Sequence, residues 1–163
     1  VGETHVWAGH LQNGDEVVIL LNAGGEDLEM SVSLAEIFIP YGPGGSAPHV
    51  KYDWAIHDLW AHRMSEATAE ELLNADTQVQ REAILSKVNW YNATEIPYAT
   101  GLVQEDARLF GERVGVVEAG GILKADVKSH AARVFRLRRV KQEGDAFEAK
   151  SISREDGNDK DEL

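Results

Sequence analysis

Six histidines and an excess of carboxylates are the residues with chemistry to offer, and neither set is spaced for catalysis. His5 and His10 are five apart, as are His57 and His62; on a strand that spacing puts them on opposite faces, too far apart to share a metal. They are read as structural or solvent-exposed. Twenty-eight Asp and Glu against sixteen Lys and Arg give a formal charge of −12. General acid–base work would need two carboxylates poised around one reacting bond, and no pair singles itself out. The absence of cysteine removes disulfides, thiolate metal sites and cysteine nucleophiles together. Arg133, Arg136, Arg138, Arg139 and Lys141 form a basic run, read as an exposed strand face balancing acidic neighbours. The acidity of the rest argues against nucleic acid or an anionic membrane as partner. No cofactor or metal is expected.

Asp53 needs separate treatment. It lies in Lys51-Tyr52-Asp53-Trp54, superficially similar to the Lys-Tyr-Asp segment that carries the nucleophile in some retaining glycosidases. There the aspartate ends a buried barrel strand and faces a second carboxylate. A chain of 163 residues is too short for a (β/α)8 barrel, which takes about 250, and Asp53 precedes an aromatic run. The similarity is read as coincidence, and no catalytic residue is assigned. Tyr52, Trp54 and Trp60 share one parity and are read as a structural aromatic wall, in preference to a sugar-stacking platform.

Two short motifs have mechanisms. Asn92-Ala93-Thr94 is a glycosylation sequon in a segment predicted to lie at the surface. Lys160-Asp161-Glu162-Leu163 is a receptor-read address for retention in the endoplasmic reticulum. Together they predict a protein of the secretory pathway, resident in the endoplasmic reticulum or secreted after delay there. The chain opens at Val1 without a methionine or signal peptide and is read as a fragment or processed piece.

The elements that would position these residues are mostly strands. Asn13-Gly14 between two apolar runs predicts a hairpin. Val17 to Leu21 is apolar on both faces, as in a strand covered on two sides. Leu28, Met30, Val32 and Leu34 alternate with Glu29, Ser31 and Ser33, which predicts the third strand of a meander. Prolines and glycines over 40–48 predict a loop, and Val50 to Trp60 a strand with a bend or bulge at Asp58. Ser65 to Leu73 reads as a helix start, with Thr68 and Glu71 spaced as a capping box, and a second box, Thr77 with Gln80, opens a helix running to about Val88. Asn89 to Phe110 reads as irregular with at most one helical turn. Strands return over 114–118, 122–128 and 131–140. Residues 141–163 are too polar to offset the entropy of ordering and read as an acidic mobile tail.

Val6-Trp7-Ala8-Gly9-His10-Leu11, Gly14-Asp15-Glu16-Val17-Val18-Ile19-Leu20-Leu21-Asn22, Asp58-Leu59-Trp60 and His130-Ala131-Ala132-Arg133-Val134-Phe135-Arg136-Leu137 resemble the C-terminal domain of the α-galactosidases of glycoside hydrolase family 27, the melibiases. The resemblance covers about 1–64 and 111–139. It implies a mainly β fold: an antiparallel β-sandwich with Greek-key elements over 1–140. The helical segment of about 65–110 is similar to an insertion in a fungal branch. The family's two catalytic aspartates lie in its barrel, so no catalytic role carries over. The implied role is a non-catalytic accessory domain that stabilises an upstream catalytic barrel of the same polypeptide, which hydrolyses terminal α-linked galactose with retention. Galactosides at the domain edge and the receptor for the Lys-Asp-Glu-Leu signal would be further partners. The alternatives are a free-standing carbohydrate-binding module and a stand-alone hydrolase.

Overall fold

A computed structural model describes residues 3–38 and 49–141. Asn13 and Gly14 take φ values of 67° and 77°, the left-handed pair that a tight hairpin matching strand twist requires. Strand β1 (Thr4–His10) therefore folds back on β2 (Glu16–Asn22), with Trp7 opposite Ile19. Along β2, Val18 and Leu20 are wholly buried, while Val17, Ile19 and Leu21 are half-buried on the other face.

The third strand corrects the expected meander. β3 (Leu28–Ser33) leaves the first sheet and pairs with β6 (Ile122–Val127), and β2 takes β7 (Ala131–Arg139) as its second neighbour. The buried side chain of Asn22 turns the chain out. Its amide donates to the carbonyls of Glu26 (2.8 Å), Val127 (3.1 Å) and Lys128 (3.2 Å), and its oxygen accepts the Gly24 N–H at 2.9 Å. Alternation had placed Met30 and Val32 on the core face correctly, but the core is reached from the opposite sheet.

Ser33 then opens α1 (Leu34–Ile37) through a reciprocal cap with Glu36, which drives Leu34, Ile37 and Phe38 into the core. The next strand, β4 (Trp54–Asp58), is shorter than the predicted Val50 to Trp60. A bulge between Ile56 and His57 shifts its register against β5 (Glu112–Val117), and Asp58 ends it by accepting the Trp60 N–H at 2.8 Å. The bulge and turn take Trp60 out of the predicted aromatic wall, while Tyr52 and Trp54, which precede them, both pack against the core. Trp54 is in the core, Tyr52 is half-buried under the Arg139 guanidinium, and Trp60 stands outside, 40% exposed, beneath Arg63.

Four helices fill the segment between β4 and β5: α2 (Glu66–Leu73), α3 (Gln78–Leu85), α4 (Tyr98–Val103) and α5 (Ala107–Phe110). The Thr77–Gln80 box forms as expected. Ser65, not Thr68, caps α2: its Oγ accepts the Thr68 N–H, so Thr68 already lies inside the helix and cannot be its cap. α3 stops at Leu85, before Val88, and the stretch expected to be irregular holds the last two helices. Neither α2 nor α3 buries a residue.

All neighbours are antiparallel, in a five-stranded sheet ordered β1-β2-β7-β4-β5 and a two-stranded sheet of β3 and β6. The long returns that pair β2 with β7 and β3 with β6 supply the Greek-key character. Between the sheets lie Val18, Leu20, Met30, Val32, Trp54, Val117, Leu123, Val127, Phe135 and Leu137. The fold is the antiparallel β-sandwich expected, with its helical insertion. The predicted loop over 40–48 and the predicted tail beyond Lys141 lie outside the described residues.

Candidate docking face on the five-stranded sheet

The two outer faces of the sandwich differ. On the two-stranded sheet the outward positions are Glu29, Ser31, Ser33, Lys124, Asp126 and, at the strand start, Ile122, which is 54% exposed, with Lys124 Nζ 3.6 Å from Glu29. Water covers the polar positions of this face without cost. On the five-stranded sheet the outward row of β2 is Val17, Ile19 and Leu21, flanked by Trp7 on β1 and by Ala132 and Val134 on β7. Trp7 is 63% exposed. An aromatic that large, set among aliphatics on a sheet face, is the composition of an interface centre.

The other end of the same face is already covered. Phe110, at the end of α5, is wholly buried against it, edge-on to the His57 ring at 4.7 Å and with Arg136 and Arg138 stacked at 4.3 and 4.2 Å. Gly111 makes this approach possible. Its φ is 101°, and a Cβ there would stand 3.0 Å from that of His57. Asp15, 5% exposed, accepts from Arg138 Nε (2.9 Å) and Nη2 (2.8 Å), and Arg138 Nη1 donates to Glu105 at 2.6 Å. Arg138 thus clasps the insertion to the β1–β2 turn, and these bonds hold its guanidinium pKa above the ordinary value. Burial pushes the His57 pKa down, opposed by its hydrogen bond to the Gly111 carbonyl (3.2 Å). The neutral ring is a packing element.

The remaining predicted residues fall in separate places. Asp53 Oδ1 accepts the Ala119 N–H at 2.8 Å, tying β4 to the β5–β6 turn, and no second carboxylate is bonded to it. His10 Nδ1 donates to Glu16 at 2.9 Å; burial raises the Glu16 pKa, and His10 draws it back. The basic run is not the exposed face expected: Arg133, Arg136, Arg138 and Arg139 are half-buried, with Arg133 paired to Asp58 at 2.8 Å. Asn92 is exposed, and its Oδ1 accepts the Thr94 N–H at 3.0 Å. Lys160, Asp161, Glu162 and Leu163 lie outside the described residues. A cleft of about 310 Å³ between the β4 exit and the insertion is bordered by His62, Arg63, Glu71 and Lys87, with one carboxylate where a glycosidic pair would need two. Among the described residues no group of three or more His, Asp or Glu could hold a metal, and no helix is long and apolar enough to cross a membrane.

Sequence reasoning missed the Asp15–Arg138–Glu105 clasp and Phe110. The signal available was slight: four arginines interrupt an otherwise apolar strand, and Asp15 follows a tight turn.

The molecule is an antiparallel β-sandwich whose five-stranded sheet leaves Trp7 exposed on its outer face beside the half-buried Val17, Ile19 and Leu21. It belongs to the α-galactosidase C-terminal β-sandwich domain family, whose model matches residues 1–85. It is similar to the α-galactosidases of Zygotorulaspora mrakii (39% identical over 137 residues) and Torulaspora delbrueckii (41% over 138), covering 84% and 85% of the chain. The chain spans only 27% of the length of either relative. The solved α-galactosidase of Saccharomyces cerevisiae superposes with a TM-score of 0.66 at 36% identity, over 84% of this chain and 28% of that one.

Proposed function

We propose that this domain seats a catalytic (β/α)8 barrel of the same polypeptide on the bare face of its five-stranded sheet, supplying rigidity and no catalytic group. The parent enzyme hydrolyses terminal α-linked galactose with retention of configuration. The exposed Trp7 beside the aliphatic row of Val17, Ile19 and Leu21 carries this reading, against a β3–β6 face whose outward residues are polar apart from Ile122. Relatives that are α-galactosidases, and of which the chain matches about a quarter, support it. An interface centred on Trp7, Ile19 and Leu21 buries apolar surface worth several kcal/mol at about 25 cal/mol per Å². The chain alone leaves a chromogenic α-galactoside uncleaved and gives no heat on titration with galactosides. The full polypeptide cleaves the substrate, and Trp7→Ser lowers its thermal stability. Turnover by the chain alone, or saturable sugar binding by it, would replace the accessory role with a hydrolase or a carbohydrate-binding module.

The same polypeptide passes through the secretory pathway, is glycosylated at Asn92 and is held in the endoplasmic reticulum through Lys160, Asp161, Glu162 and Leu163. The exposure of Asn92 supports the first modification. An unchanged gel mobility for Asn92→Gln, with an unchanged distribution after loss of the last four residues, would refute this route.

A further inference from the structure

Arg136 stands on β7 where the covered and bare halves of the sheet face meet, opposite Val17 on β2 and next to the row of Ile19 and Val134. Its side chain is only 12% exposed. Nε and Nη1 are closed off from water and make no hydrogen bond. The nearest carboxylate, Asp15, lies 3.9 Å away with both oxygens already engaged by Arg138. His57, facing it from β4, and Phe110, stacked on it from α5, offer no anion. Arg138, the other charged group at this place, is a second cation, and Glu105 is bonded to it. A guanidinium so desolvated is stable only when an oxygen acceptor completes its fork. The edge left for such an acceptor is Nη2, the one guanidinium nitrogen not closed off from water.

Resting on the docking arrangement proposed above, we infer that the catalytic region brings an oxygen acceptor to Arg136, and that this polar contact fixes the register in which the apolar patch is covered. Trp7 and its aliphatic neighbours supply attraction without direction. Arg136 supplies direction, since a fork of fixed geometry accepts a partner at one angle. The acceptor is a carboxylate or a backbone carbonyl, both of which satisfy the same donor.

The test compares Arg136→Met in the chain alone and in the full-length polypeptide, with Trp7→Ser in parallel. In the chain alone, Arg136→Met leaves the urea midpoint unchanged or raises it, because a poorly compensated cation is replaced by an apolar side chain of similar length. In the full-length polypeptide the same change raises the domain-opening constant about tenfold, read by native-state proteolysis between the domains, as expected for an interface acceptor left unpaired. Arg136→Lys restores most of the loss if the acceptor is a carboxylate and little if it is a carbonyl. Equal destabilisation in the chain alone and the full polypeptide would make Arg136 an internal strut and overturn the inference. If Trp7→Ser loosens docking and Arg136→Met does not, the inference fails and the docking face stands; if neither does, both fail.

Discussion

Replacing Arg138 by methionine removes the clasp between sandwich and insertion, and the cost divides unequally between its partners. Glu105 is 52% exposed, and losing an exposed ion pair costs about 0–1 kcal/mol. Asp15 is 5% exposed and loses two charge-assisted bonds, of 2.9 and 2.8 Å. Stranding a buried carboxylate costs about 3–5 kcal/mol. Arg136 Nε, at 3.9 Å, can close in and return part of that, which sets the expected loss near 3 kcal/mol. The stacking of Arg138 on Phe110 at 4.2 Å adds about 0.5–1 kcal/mol. The expected total of about 3.5–5 kcal/mol lowers the midpoint of a domain this size by roughly 7–20 °C. Urea unfolding of Arg138→Met, Glu105→Gln, Asp15→Asn and the Asp15→Asn/Arg138→Met pair resolves the terms. Glu105→Gln costs under about 1 kcal/mol, and the double variant is much less damaged than the sum of its singles. If Arg138→Met cost no more than Glu105→Gln, Asp15 would not depend on Arg138 and the account of the clasp would be wrong.

Two further predictions follow from buried polar groups. Asn22→Leu strips partners from the carbonyls of Glu26, Val127 and Lys128 and from the Gly24 N–H, and is expected to cost about 2–4 kcal/mol in equilibrium unfolding; a loss under about 0.5 would mean that the β2–β3 turn stands without it. Glu16→Gln tests the raised pKa. A carboxyl whose folded pKa lies above its unfolded value contributes most below the unfolded value, and loses that contribution as pH rises through the folded one. Glu16→Gln therefore stabilises by up to about 1 kcal/mol at pH 7, and the gain vanishes as pH falls below the ordinary carboxylate range; a gain that grew toward low pH would contradict the direction of the shift.

What the sequence disclosed was local. Asn13-Gly14 named the first turn because positive φ at both positions is a property of those two residues alone. Thr77 and Gln80 named a helix start for the same reason. Period-two alternation assigned Met30 and Val32 to the core face. It could not say which strand would lie beside β3, since both pairings present the same side chains to the core. Ser65 rather than Thr68 capped α2 because both types and spacings suit the role and only the backbone decides. The interruption at Asp58 signalled the bend in β4, but not that the turn after it would carry Trp60 away from Tyr52 and Trp54. The bare face was half legible: Val17 to Leu21 showed that a cover was needed. Trp7 joined it only when the hairpin register set it opposite Ile19, and Arg136 when the return strand was placed.

That return strand also sets a timetable. The hairpin of β1 and β2 is made before the rest of the sandwich, yet its inner flank stays unmated until Ala131–Arg139 follows more than a hundred residues later. Loop closure over such a distance is slow. During that interval the hairpin offers Val18 and Leu20 to whatever is nearby, so a nascent chain stalled before β7 is the form most exposed to clumping.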